Sequence, residues 1–177
     1  FFNGIGHAID VVKEVNEEFP ELSYDVTIKV EHLRRYEGKL NILLDTGCVF
    51  VVSAVESIDD DVLVKLEKGH TQADFEQVVW LCRKIGLTLS PTFIPFTPWT
   101  TLRGYYRLLQ TIDRLELVEQ VSPVQLTLRL LISERSRLLD VMANDVGVGL
   151  SPFDSERLVY PWRHLDARVD RLQESVT

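Results

Sequence analysis

The sequence predicts an α/β fold: a parallel-stranded partial (β/α) barrel of about four strand–helix units. Two observations carry that prediction. β-branched and apolar runs of strand length recur along the chain, separated by segments with helical spacing, and strands joined by helical crossovers pair in parallel. Most of these runs also alternate apolar with polar residues, unlike the continuous apolar runs of parallel strands buried on both faces.

The elements follow in order. Residues 5–17 place Ile5, Ala8, Ile9, Val12 and Val15 at three- and four-residue spacings ahead of Pro20, which reads as an amphipathic helix. Residues 24–30 alternate over a β-branched stretch as a first strand, and 32–44 return to helical spacing before a Gly47 stop. Residues 49–54 form a second strand. Helices follow over about 59–68 and 72–85, the latter with Asp74 and Glu76 in its first turns, where the helix dipole favours acids. Residues 87–94 form a third strand in which Pro91 removes one ladder donor. Residues 100–115 set Leu102, Tyr105, Leu109 and Ile112 on one helical stripe. Residues 124–132 complete the series as a fourth strand. Residues 134–142 read as a short helix, 144–152 as a loop, and 154–175 as a terminal helix interrupted by Pro161. The barrel portion thus covers 1–143, with 144–177 as a carboxyl-terminal loop and helix packing on the same domain.

Composition narrows the function. With 177 residues, 45% of them hydrophobic, the chain has the means to bury a core and is not disordered. No apolar run approaches the roughly 20 residues that span a bilayer, so no membrane partner is expected. A net charge of -8 argues against a surface built to neutralise phosphates, and so against a nucleic-acid partner. Cys48 and Cys82 sit in apolar runs far apart, as buried thiols of a reducing compartment, which predicts a cytoplasmic location. The chain opens on Phe1-Phe2-Asn3-Gly4 and its single methionine is Met142, so it reads as a fragment.

Strand parity bears on where chemistry sits. In the first strand Val26, Ile28 and Val30 oppose Asp25, Thr27 and Lys29; in the third, Leu87, Leu89 and Phe93 oppose Thr88, Ser90 and Thr92. In the fourth, Val124, Leu126, Leu128 and Leu130 oppose Gln125, Thr127 and Arg129. The second is more apolar, turning polar at Ser53 and Glu56. Helices cover the apolar set, so the polar set lines either a wet interior or a solvated sheet face. A filled barrel would place branched aliphatics inside. An open barrel with a polar cavity, and chemistry at the carboxyl ends of its strands, fits the pattern; a one-sided sheet fits it too.

Lys29 and Arg129 are charges placed mid-strand, where they need solvent or a partner. They suit a carboxylate or phosphate ligand, or a salt bridge across the cavity to Asp25, Glu31 or Glu56. Gln125 and Thr127 are adaptable hydrogen-bonding groups. Ser57 and Asp59, at the second strand's exit, are good helix caps. His7, His32 and His164 have no metal-ligand spacing with either cysteine, and no Walker loop, Ser/His/Asp motif or metalloprotease helix is present.

The stretch Gly47-Cys48-Val49-Phe50-Val51-Val52-Ser53-Ala54-Val55-Glu56-Ser57, followed by Asp61-Val62-Leu63-Val64-Lys65-Leu66-Glu67-Lys68-Gly69-His70-Thr71, resembles the fourth strand and following segment of radical S-adenosylmethionine enzymes. Residues 87–98 resemble the fifth strand and its loop. The resemblance implies a (β/α)6 partial barrel of which this chain holds strands three to six, with S-adenosylmethionine and a [4Fe–4S] cluster as cofactors of the intact enzyme. It implies cleavage of S-adenosylmethionine to a 5′-deoxyadenosyl radical acting on an unidentified small-molecule or peptide substrate. At the site it implies Glu56 and Ser57 on ribose hydroxyls or the ammonium, with Ser53 as a companion, and Lys29 or Arg129 on a carboxylate. Thr92, Ile94, Pro95 and Gln125 complete the set, with Phe96 and Trp99 either near the adenine or simply a packed hydrophobic corner. The Asn3-Gly4 turn falls where the family's glycine-rich segment lies.

The departure is the family's Cys-x3-Cys-x2-Cys, which has no counterpart among two distant cysteines. The chain is therefore expected to be inactive and to have neither S-adenosylmethionine nor a cluster bound, with self-association through an edge strand left exposed by truncation. A cluster-free α/β binding or interaction domain is the alternative.

Overall fold

A computed structural model describes residues 4–145 and 148–177. Along the chain run α1 (Ile5–Glu18), β1 (Tyr24–Thr27), α2 (Val30–Arg35), a 3-10 turn (Glu37–Lys39), α3 (Asn41–Asp45), β2 (Cys48–Glu56), α4 (Asp60–Lys65) and α5 (Gln72–Ile85). Then come β3 (Leu89–Phe93), α6 (Leu102–Arg114), a second 3-10 turn (Pro123–Leu126), α7 (Leu138–Ala143), β4 (Gly149–Leu150), β5 (Trp162–Arg163) and α8 (Ala167–Val176). Contacts divide the chain into two units. The first runs to Val55 and includes Gly69–Thr92 and Glu119–Val121; the second is Glu56–Lys68, Phe93–Val118 and Ser122–Thr177.

The first unit is built on a parallel sheet of order β1-β2-β3. Asp25, Val26 and Thr27 pair with Phe50, Val51 and Val52, while Tyr24 pairs with Cys48, so Val49 is an extra residue in a bulge. The Val51 amide donates to the Thr88 carbonyl at 2.8 Å, joining β2 to β3. Entry to β2 depends on Gly47, whose φ is +89° and whose added Cβ would meet the Leu22 carbonyl oxygen at 2.7 Å. The α5 helix begins with a capping box between Thr71 and Asp74 and ends on left-handed Gly86. It buries Phe75, Val78, Val79 and Cys82. Burial of Phe75, Val78 and Val79 contributes roughly 1.5–3 kcal/mol each.

Parity is as the alternation predicts: Val26, Ile28, Leu87 and Leu89 are buried, Asp25, Thr27 and Thr88 are exposed, and Ser90 and Thr92 are half-buried. One face is therefore buried and apolar apart from Ser53, and the other is more open, mixing Asp25, Thr27 and Thr88 with Phe50 and Val52 of β2.

The second unit has two apolar clusters. Leu130, Ile132, Met142 and Trp162 form one; Phe96, Tyr105 and Val169 form the other, with Leu102 and Leu109 of α6 and Leu172 and Val176 of α8. Here β4 and β5 pair antiparallel, Leu150 opposite Trp162.

Five expectations are corrected. The first strand stops at Thr27 because Lys29 turns the chain into α2, so Lys29 is an exposed helix N-cap and not a mid-strand charge. The helix expected over 32–44 is broken into α2, a 3-10 turn and α3 around Tyr36 and Leu40, which lie between the pieces. The fourth strand is absent: Pro123 starts a 3-10 turn through Leu126, and the only ladder contact there is a parallel bridge from Phe96 to Arg129. The terminal helix is confined to Ala167–Val176, because Asp154 and Val159 close a turn upstream and Trp162–Arg163 is a strand. Of the loop expected over 144–152, residues 146 and 147 lie outside the described residues, and Gly149–Leu150 is β4.

Candidate functional site

The site is assembled where β2 and β3 end. Glu56, the last residue of β2, has φ 67°, a left-handed conformation that costs a residue with a Cβ about 1–2 kcal/mol. Two bonds hold it there. Its carbonyl accepts the Ile94 amide at 2.9 Å, and its carboxylate accepts Lys68 Nζ at 3.2 Å. Next in line, the Ser57 hydroxyl accepts the Asp59 amide at 3.0 Å, and Asp59 Oδ1 accepts the amides of Asp61 and Val62 at 3.1 and 3.4 Å. The cap of α4 thus belongs to Asp59, and Ser57 shapes the turn that leads to it.

The loop after β3 is locked by two threonines. Thr100 Oγ1 donates to the Pro95 carbonyl at 2.7 Å and accepts the Thr97 amide at 3.0 Å, while the two hydroxyls lie 2.9 Å apart. Thr97 is buried, and its hydroxyl also accepts the Trp99 amide at 3.3 Å. These threonines were missed by the sequence reading; their three-residue spacing after a proline was the available signal. Phe96 is fully buried and stacked on Tyr105 at 5.0 Å, so it is core. Trp99 donates its indole N–H to Asp145 Oδ2 at 2.7 Å, and Lys65 Nζ reaches the same oxygen at 2.6 Å. The hydrogen bonds from Lys65 and Trp99 hold the Asp145 carboxyl below its ordinary range.

Glu56, Ser57, Asp59, Pro95, Thr101 and Arg107 border a crevice with room for only about 20 Å³. That volume holds one water, so a nucleoside would have to lie over the strand ends and not inside this crevice.

The remaining expected site residues are placed as follows. Thr92 is half-buried on the polar face of β3. Ser53 is fully buried on the face of Val51 and Val55, opposite to the polar face, and its hydroxyl has no hydrogen-bond partner among the described residues. It therefore does not accompany Glu56, since the pleat sends odd and even residues to opposite faces. Gln125 Oε1 accepts the Phe93 amide at 3.2 Å, standing in for a strand carbonyl. Arg129 pairs with Asp170 at 2.9 Å, donates to the Trp162 carbonyl at 2.7 Å and lies 3.6 Å above the Trp162 ring. Its salt-bridge partner is thus Asp170 and none of Asp25, Glu31 and Glu56. His70 is buried. Gly4 is the N-cap of α1; Asn3, the other half of the expected turn, lies outside the described residues. Among the described residues no group of three His, Cys, Asp or Glu side chains is placed to hold a metal ion. No helix among them is long and apolar enough to cross a membrane.

No protein-family model matches the chain. A search of solved structures finds the cobalamin-dependent S-adenosylmethionine radical enzyme OxsB, with aqua-cobalamin and S-adenosylmethionine bound, at a TM-score of 0.72 and 15% identity over 94% of this chain. The chain shares a fold with radical S-adenosylmethionine enzymes. The radical S-adenosylmethionine methyltransferase TsrM from Kitasatospora setae, with cobalamin and a [4Fe-4S] cluster bound, matches at 0.53 and 21% identity over 63% of this chain and 23% of its own. Elp3 of the archaeon Methanocaldococcus infernus matches at 0.54 and 17% identity over 69% of this chain and 28% of its own. Among curated proteins, bacteriochlorophyllide d C-8(2)-methyltransferase of Chlorobaculum tepidum is 28% identical over 93 residues, 51% of this chain. The chain spans 19% of that methyltransferase and 30% of OxsB.

Proposed function

We propose that this chain forms the later part of a radical S-adenosylmethionine barrel and that its strand ends hold S-adenosylmethionine. The observation that carries the reading is the junction of Glu56 with Ile94. Two neighbouring parallel strands end side by side, one in a left-handed carboxylate residue and the other in a threonine-locked loop, at the end of the sheet where parallel α/β folds bind ligands. The fold likeness to OxsB and TsrM supports it.

In this reading the Glu56 carboxylate and the Ser57 hydroxyl take the ribose hydroxyls or the ammonium, and the backbone of Ile94 and Pro95 reads the adenine. Lys29, Ser53, Gln125 and Arg129 are left out, each for the placement described above. The cluster does not fit this chain: a [4Fe–4S] centre of the family type needs three thiolates on one loop, and Cys48 and Cys82 are both buried. Cluster ligands would then be residues outside these 177, and the chain alone would lack radical chemistry. S-adenosylmethionine supplies, when bound, the sulfonium whose cleavage defines that chemistry.

Calorimetric titration of the chain with S-adenosylmethionine tests this. Binding that weakens at least about tenfold in Glu56→Ala supports the site. Absence of binding to the wild-type chain would favour the rival, a cluster-free α/β binding or interaction domain, and unchanged binding in the variant would remove Glu56 from the site.

A further inference from the structure

We infer that the cavity between Arg129 and α8 binds a small, multiply charged oxyanion through phosphate or carboxylate groups. It measures about 390 Å³, within the range of small-molecule sites, and its lining includes Arg129, Trp162, Arg163, Asp170, Arg171 and Glu174. Three arginines and two acids therefore line it, in a chain whose net charge is -8.

Asp170 is already spoken for. Its Oδ1 accepts Arg129 Nη1 at 2.9 Å, and its Oδ2 accepts the His164 amide at 3.1 Å. That leaves Arg163 and Arg171, both exposed, against Glu174 alone. Arg129 is fixed on three sides, by Asp170, by the Trp162 carbonyl at 2.7 Å and by the Trp162 ring at 3.6 Å. A guanidinium carries five N–H donors in a rigid fork, and these bonds leave donors over for a ligand. Because Arg129 is already ordered, those donors lose little further side-chain entropy on binding. The planar fork matches carboxylate and phosphate oxygens two at a time, and an anion between the arginines relieves their mutual repulsion. Glu174 opposes any anion there, so the attraction comes from the arginines, and it grows with the number of negative oxygens the ligand carries. The inference does not rest on the S-adenosylmethionine reading, because no lining residue belongs to β2, β3 or the loops that follow them.

Titration calorimetry of the full chain with inorganic pyrophosphate and, separately, with citrate tests it. At least one probe should bind, and Arg163→Gln/Arg171→Gln should weaken that binding by about tenfold or more. Both positions are exposed, so the thermal melt of the double variant should match wild type. Binding of pyrophosphate alone assigns a phosphate ligand, and of citrate alone a polycarboxylate. Arg129→Lys keeps the charge but loses the fork and the stack, and should weaken the same probe. Failure of both probes to bind, or equal binding by the double variant, overturns the proposal. S-adenosylmethionine titrated into that variant should bind as it does to wild type, which keeps the two sites separable.

Discussion

The Ile94 amide donates to the Glu56 carbonyl at 2.9 Å and so fixes the one left-handed residue at the end of β2. Glu56→Gly separates folding from binding at this position. Glycine relieves about 1–2 kcal/mol of left-handed strain but adds roughly 0.5–1 kcal/mol of unfolded-state entropy, and the Lys68 pair contributes up to about 1 kcal/mol more. These offset one another, so urea unfolding should place the variant within about 1 kcal/mol of wild type. Affinity for S-adenosylmethionine should nonetheless fall. A variant that unfolds much more easily would mean that Glu56 holds the fold and not the ligand.

Gln125 takes the place of a strand partner for Phe93, its Oε1 accepting the Phe93 amide at 3.2 Å. Gln125→Ala removes that acceptor and should cost about 0.5–1.5 kcal/mol in chemical denaturation. Gln125→Glu keeps an acceptor at the same reach and should recover most of the loss. Equal loss in both variants would place the effect in packing.

That bond also marks where the sequence stopped being legible. Alternation is a property of a strand's own residues, so the buried set Val26, Ile28, Leu87 and Leu89 was readable, as was the whole of α5 between its Thr71 cap and Gly86. Residues 124–132 alternate just as well, yet whether they form a strand depends on partners that no local pattern records. Pro123 and a side-chain acceptor decide otherwise. Glu56 was singled out because it lies next to a strand exit, whereas the burial of Ser53 on the face of Val51 and Val55 was not readable because an apolar strand gives no parity signal. The Arg129–Asp170 pair joins residues far apart in the chain and leaves no local trace.

Burial pushes the Cys82 thiol up to about 12, and it raises Cys48 too. Both thiols are therefore protonated at pH 8 and should resist an aromatic disulfide reagent until denaturant is added, when the chain's 2 cysteines should both react. The thiol pKa values are higher folded than unfolded, so this contribution to stability is complete below about pH 8.5 and declines as pH rises beyond it. Rapid native labelling of Cys82 would show that α5 opens locally.

Asp145 receives two donors on one oxygen, Lys65 Nζ at 2.6 Å and Trp99 Nε1 at 2.7 Å, and these hold its carboxyl below the ordinary range. A carboxyl with a lower pKa folded than unfolded contributes stability above the unfolded value of about 3.9, and loses it as pH falls through the folded value. Asp145→Asn removes the titrating group and its ion pair with Lys65. The melting temperature of the variant should lie below wild type at pH 7, and the gap should close as the pH is lowered from 5 toward 2, because wild type then loses what the variant never had. A gap that stays constant over that range would mean that the Asp145 charge contributes nothing and that geometry alone joins α4 to the Trp99 loop.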